Sequence, residues 1–143
     1  MNTQEIIAKI ARIRESANTL IEAELRHRSI KGIVPAHGPV LSFLFQQNNP
    51  VPIKAVVENV RRVKSTVTVM INTLERHGYL RKLACDTDNR VTLIELTPAG
   101  RKLKKDFEEI SCQLLDRVYQ DVKKKDRQIL IDLLAVVENN LTG

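Results

Sequence analysis

The stretch from Ser65 to Leu96 constrains this chain most, because its apolar period changes halfway. In "STVTVMINTLERHGYL", Val67, Met70, Ile71 and Leu74 recur at i, i+3, i+4 and i+7, the stripe of an amphipathic helix. Ser65 and Thr66 are candidate N-caps, and Arg76, His77 and Gly78 supply a helix end. Two short apolar and β-branched runs follow at once, "YLRKLACD" (79–86) and "RVTLIEL" (90–96), joined by "TDN" (87–89). Asp and Asn suit a tight turn, so the pair reads as an antiparallel hairpin. Arg90 opens the second run. Arginine is no turn-former and its charge gains little in an exposed loop, so its partner is expected outside the chain.

Helices fill the rest. Residues 4–29 carry Ile6, Ile10, Ile13, Ala17, Leu20, Ile21 and Leu25 at helical spacing, with Lys9, Arg12, Glu15, Glu22 and Arg26 opposite. "KGIVPAHGP" breaks that pattern. "PVLSFLFQQ" (39–47) reads as a short, buried helix, and the X-Pro units of "NNPVP" leave room for one short strand. "IKAVVENV" (53–60) is a third helix and "RRVK" a connector. After the hairpin, Thr97 is a good N-cap and Pro98 fits a first helical position. Leu103, Phe107, Ile110, Leu114 and Val118 then form a stripe, "KKKDR" (123–127) interrupts as a solvated connector, and residues 127–141 form the last helix.

This order predicts a mainly α fold with a small β-hairpin wing. A winged helix-turn-helix core is flanked by helices that form a dimerisation region. The expected division is 1–34 for an N-terminal dimerisation helix, 35–97 for the core, and 98–143 for C-terminal dimerisation helices. The flanking apolar stripes need a cover, either within the subunit or across a dimer interface. Aromatics are 3% and Trp is absent, so the core must be aliphatic.

Charge points the same way. The chain carries +6, and residues 54–90 hold eight Lys/Arg against four acids. Residues 91–143 balance nine basic against nine acidic side chains. A local excess in the middle quarter favours a polyanion over a merely solvated surface. In a winged helix, the second helix of the pair can enter the major groove and the hairpin can reach phosphates or the minor groove. Arg62, Lys64 and Ser65 are placed to meet phosphates, together with Arg61. Thr66, Thr68, Val69 and Asn72 lie off the buried stripe, where short polar or methyl-bearing side chains read base edges. Glu75 departs from the positive charge and marks the end of this helix away from DNA.

The block "KSTVTVMINTLERHGYLRKLACDTDNRVTLIELTPAGRKL" resembles the core of the MarR family, the multiple antibiotic resistance regulators. Ser65-Thr66-Val67-Thr68 through Leu74-Glu75 and Gly78 matches the family's recognition helix, and Asp88-Asn89-Arg90 through Leu96-Thr97 and Gly100 its wing. Asn89 is a minor departure, since Arg or Ser is more usual there. The resemblance implies a homodimer whose first and last two helices interlock. It implies two recognition helices on a pseudo-palindromic double-stranded DNA operator, and Arg90 in the minor groove with Asp88 helping to hold it. It also implies a transcriptional repressor released by a small-molecule effector.

Other readings are a redox-responsive regulator acting through Cys85 or Cys112, and a winged-helix protein-interaction module without specific DNA binding. Redox-sensing relatives carry their cysteine in the first helix, where this chain has none, and free cysteine is commonly a small buried apolar residue. His27, His37 and His77 are scattered over three elements, so neither an enzyme nor a metal site is expected, and no cofactor. The spacing assigns no ligand-binding residues. No apolar run approaches the ~20 residues of a membrane span, and the N-terminus has no uninterrupted apolar segment. The expectation is a cytoplasmic protein with no membrane partner.

Overall fold

The computed structural model describes residues 2–143. Six helices and three short strands follow in the order α1 (Ile6–His27), α2 (Gly38–Phe45), β1 (Val51–Pro52), α3 (Ile53–Val60), α4 (Lys64–Arg76), β2 (Leu80–Ala84), β3 (Thr92–Leu96), α5 (Pro98–Val118) and α6 (Lys124–Thr142). Two 3₁₀ turns, Thr3–Glu5 and Pro35–His37, precede α1 and α2. The sheet order is β1-β3-β2, antiparallel throughout, with Val51 opposite Ile94 and Leu80 opposite Leu96. The strand expected in "NNPVP" is β1. Contacts divide the chain into one unit that ends at Ile110 and a second unit, Ser111–Gly143.

In the first unit the core is aliphatic, as the composition requires. Val40, Leu41 and Leu44 of α2, Val56 of α3, and Val67, Ile71 and Leu74 of α4 are almost wholly buried. Leu80 and Ile94 close it from the sheet. Each such side chain contributes about 1.5–3 kcal/mol relative to exposure. Of the aromatics that join it, Phe45 and Phe107 meet edge to face at 5.7 Å. Arg28, at the end of α1, is held by Glu109 at 2.7 Å and Asp106 at 3.0 Å on α5, which together with Glu24 keep its guanidinium firmly charged.

Several boundaries differ from those read in the sequence. α4 begins at Lys64 rather than Ser65, and its N-cap is Val63 in an extended conformation with no side-chain cap. Ser65 and Thr66 therefore do not cap it; they already lie inside the first turn. The bend before α4 is made by Arg61, which adopts the left-handed conformation (φ 54°). β3 starts at Thr92, so Arg90 stands in the loop before the strand and not on it. α6 takes in Lys124–Arg127, so only the start of "KKKDR" is connector.

The end of α4 obeys its sequence signals. Gly78 has φ +81°, its N–H reaches the Glu75 carbonyl, and the Tyr79 N–H reaches that of Leu74. The Tyr79 carbonyl accepts the Thr97 N–H at 3.1 Å, and the Thr97 hydroxyl donates to the Gly78 carbonyl while accepting the Gly100 N–H. Thr97 thus caps α5 as expected. Gly100 packs directly on Tyr79: a Cβ there would lie 2.0 Å from the Tyr79 carbonyl oxygen.

The flanking helices leave much of their apolar surface uncovered. On α1, Ile6, Ile7, Ile10 and Ile13 are exposed and only Leu25 is buried. In the second unit α6 has no buried residue, and Ile129, Ile131, Leu133 and Val136 are each about half exposed or more.

Two predictions follow from this packing. Gly100→Ala should lower stability by about 1–3 kcal/mol through overpacking, read as a lower urea midpoint at fixed protein concentration; an unchanged midpoint would contradict the contact. His37 is 6% exposed, and its Nδ1 accepts the Val34 N–H at 3.1 Å. Burial, and then the charge of His77, push its pKa below the usual value. The folded chain then binds fewer protons than the unfolded one. Its contribution is complete above pH about 6.5 and is lost as pH falls toward the folded pKa. The urea midpoint should drop between pH 7.5 and 5.5, and drop less in His37→Asn.

Candidate nucleic-acid interface

The exposed side of α4 carries the residues singled out above, but the structure gives them different freedoms. Lys64, Ser65, Thr66, Val69 and Asn72 are exposed and Thr68 is half-buried. The Thr68 hydroxyl donates to the Lys64 carbonyl at 2.9 Å. Its proton is used within the helix, so toward a ligand it offers its methyl and an acceptor lone pair. Val69 is 64% exposed.

Asn72 is not free. Its Oδ1 accepts from Lys82 Nζ at 2.5 Å, and the same ammonium lies 3.3 Å from Glu75. Lys82, on β2, therefore ties the far half of α4 to the wing and neutralises Glu75. Sequence reading passed over Lys82 because its partners are distant in the chain. Asn72 keeps its amide N–H₂ outward.

On the neighbouring strand position Arg81 pairs with Glu95 directly across the hairpin, at 2.7 Å. So two of the eight cations counted between residues 54 and 90 serve the wing itself. Among the described residues, Arg61, Arg62 and Lys64 have no carboxylate partner, and all three are exposed. They cluster at the start of α4, where the helix dipole adds positive charge and no side chain caps the first N–H groups.

Arg90 sits in the loop between Ala84 and Thr92. Asp88 Oδ1 accepts its backbone N–H at 3.0 Å and its Nε at 3.1 Å, and Oδ2 accepts Nη2 at 3.3 Å. Asp88 thus holds Arg90, as the resemblance implies, so the guanidinium is not without a partner in the chain as its position in a loop had suggested. Two residues suffice because the Asp side chain first bonds the turn and then turns both oxygens to the guanidinium. The Arg90 side chain remains 90% exposed even so. Arg90 holds the Asp88 carboxyl below the usual range, by the side-chain and then the backbone hydrogen bond. Asn89 is exposed at the tip of this loop. Cys85, half-buried, contacts the Thr87 hydroxyl at 3.3 Å, and that contact, then the Thr87 and Asp88 backbone N–H groups, lower its thiol pKa.

Comparison with known proteins agrees with this geometry. Residues 36–100 match the family described as the winged helix DNA-binding domain. The HTH-type transcriptional regulator YdgJ of Bacillus subtilis (strain 168) is 30% identical over 79 residues, 55% of this chain and 48% of that protein. The match thus spans about half the length of that relative. A MarR-like transcription regulator from Bacillus cereus ATCC 10987 superposes with a TM-score of 0.77 at 25% identity, over 99% of both chains. MepR of S. aureus, solved in complex with DNA, shares the fold with a TM-score of 0.82 at 18% identity over 98% of both chains. Residues 36–100 thus match a winged helix DNA-binding domain, and over nearly its whole length the chain is similar to a MarR-like transcription regulator.

Proposed function

We propose that this chain is a sequence-specific double-stranded DNA-binding repressor that acts as a homodimer on a pseudo-palindromic operator and answers to a small-molecule effector. One observation carries the DNA reading: three cations without a carboxylate partner, Arg61, Arg62 and Lys64, gather at the open N-terminus of α4, and Asp88 braces Arg90 outward beside it. Arg62, Lys64 and Ser65 position α4 on phosphates, with Arg61 adjoining. Thr66, Thr68, Val69 and Asn72 read bases in the major groove, the methyl groups of Val69 and Thr68 suiting thymine. Arg90 enters the minor groove, oriented by Asp88 and flanked by Asn89.

The dimer reading rests on the uncovered apolar faces of α1 and α6. A second copy supplies the cover they need, with residues 1–34 and 98–143 forming the dimerisation region and 35–97 the DNA-binding core. The effector follows from the family resemblance. Such a regulator works in the cytoplasm.

Arg90→Ala should weaken binding to a selected operator by about 1–3 kcal/mol, measured by fluorescence anisotropy; wild-type affinity would refute the wing role. With three phosphate-facing cations in each protomer, log Kd against log salt should have a slope of magnitude about 5. A slope near zero would favour the protein-interaction module instead. Footprints should show half-sites one helical turn apart, about 34–36 Å.

Cys85 favours a second reading, redox control of the wing, because its activated thiol lies in the loop that presents Arg90. Peroxide should then release DNA from wild type and Cys112→Ser but not from Cys85→Ser. An equal response in all three proteins would end that reading.

A further inference from the structure

Asn72 lies one turn beyond Thr68 on α4 and three residues beyond Val69, so it shares their face of the helix. It stands about 12 Å along the axis from Lys64, well past the helix start. Its side chain meets Lys82 of β2, whose Nζ donates to Oδ1 at 2.5 Å and lies 3.3 Å from Glu75 Oε1. An ammonium has three N–H donors and no acceptor. The amide must therefore turn its oxygen to Lys82 and its NH2 away from it. Among the described residues, Asn72 is the one hydrogen-bond acceptor that Nζ meets, while Glu75 balances the charge. Asn72 is exposed and the Lys82 side chain is 35% exposed, so both remain open to a ligand. Together they offer a surface of hydrogen-bond donors: the amide N–H groups of Asn72 beside the unbonded N–H groups of Lys82.

We infer that Lys82 is a positioning residue that makes Asn72 a reader of guanine, an assignment that rests on the DNA reading above. An unconstrained asparagine reads adenine with both ends of its amide: the oxygen accepts from N6–H2 and the nitrogen donates to N7. Here the oxygen faces an ammonium, so the adenine amino group would meet donor against donor. Guanine shows two acceptors in the major groove, N7 and O6, and both match the donor surface. Thymine offers the single acceptor O4, and cytosine an amino donor that the surface rejects. The expected order is guanine first, thymine next, adenine and cytosine last. A lysine that only touched phosphate would instead strengthen binding to every sequence alike. Removing Lys82 also releases the Glu75 charge, which repels every duplex alike. Base preference at one position, rather than affinity, therefore reports the role of Lys82.

The test uses the full chain. Wild type selects an operator from a random duplex pool, and each operator position is then changed to the other three base pairs for fluorescence anisotropy. The pair that Asn72 reads is the one at which Asn72→Ala removes the preference. There wild type should favour guanine over adenine by about tenfold. Lys82 lies outside the buried core, so Lys82→Met tests the contact rather than the fold. It frees the Asn72 oxygen, and the guanine-to-adenine ratio should fall by about fivefold or more. Lys82→Arg, still a donor with no acceptor, should keep guanine first. In the Asn72→Ala background, adding Lys82→Met should leave the ratio unmoved, because Lys82 acts through Asn72. A wild-type ratio retained by Lys82→Met, with affinity lowered on all sequences alike, would make Lys82 a phosphate contact and overturn the proposal. Adenine preferred by wild type at that pair, or no position that Asn72→Ala flattens, would overturn it equally. These outcomes leave the DNA reading standing, whereas a wild-type chain that selects no sequence from the pool overturns that reading and the guanine assignment with it.

Discussion

The Tyr79 carbonyl is the point on which the helix-to-hairpin half of this chain depends. It accepts the Thr97 N–H, and Gly100 lies against it too closely for any side chain. Thr97 in turn bonds the Gly78 carbonyl and caps α5. The end of α4, the start of β2, the end of β3 and the start of α5 therefore meet within a few backbone atoms. Hydrogen bonds at such a junction are short and directional, so they set where the wing leaves the core. The angle between α4 and the wing is set here rather than at the tip.

Charge in the central segment is sorted by the hairpin register. Pairing Arg81 with Glu95 satisfies one wing cation across the strands, and Lys82 is drawn back to Asn72 and Glu75 on α4. Of the cations left without a carboxylate among the described residues, Arg61, Arg62 and Lys64 cluster at the start of α4, while Lys54 lies on α3 and Arg76 at the far end of α4. Exposed pairs of this kind add little stability. Their larger consequence is geometric, since they remove two cations from the field a polyanion meets and concentrate the rest. Asp88 works oppositely on Arg90: it reduces its net charge but fixes its direction.

The uncovered faces of α1 and α6 are the counterpart of this sorting. The core runs from Leu25 of α1 to Ile110 of α5, and the outer helices carry more apolar surface than it covers. That excess leaves Ile13 and Leu133 exposed.

Most of the architecture was legible along the chain. The 3.6-residue stripe from Val67 to Leu74, the Gly78 stop, the paired β-branched runs and the Thr97-Pro98 start are local signals, and local backbone preference enforces each of them. The residues of the candidate interface were legible for the same reason, since a helix face follows from spacing alone. Tertiary structure decided what spacing cannot encode. Val63 rather than Ser65 precedes α4 because the left-handed turn at Arg61 sets where the helix can begin. Arg90 falls short of β3 because Asp88 bends the loop back on itself. Lys82 joins the site, and Asn72 loses part of its freedom, because the hairpin folds over α4 and brings together atoms ten residues apart. Sequence determined which side chains face outward; only the packed fold determined which of them already have a partner, because hydrogen bonds and ion pairs form between neighbours in space, and the helix-to-hairpin junction chooses those neighbours.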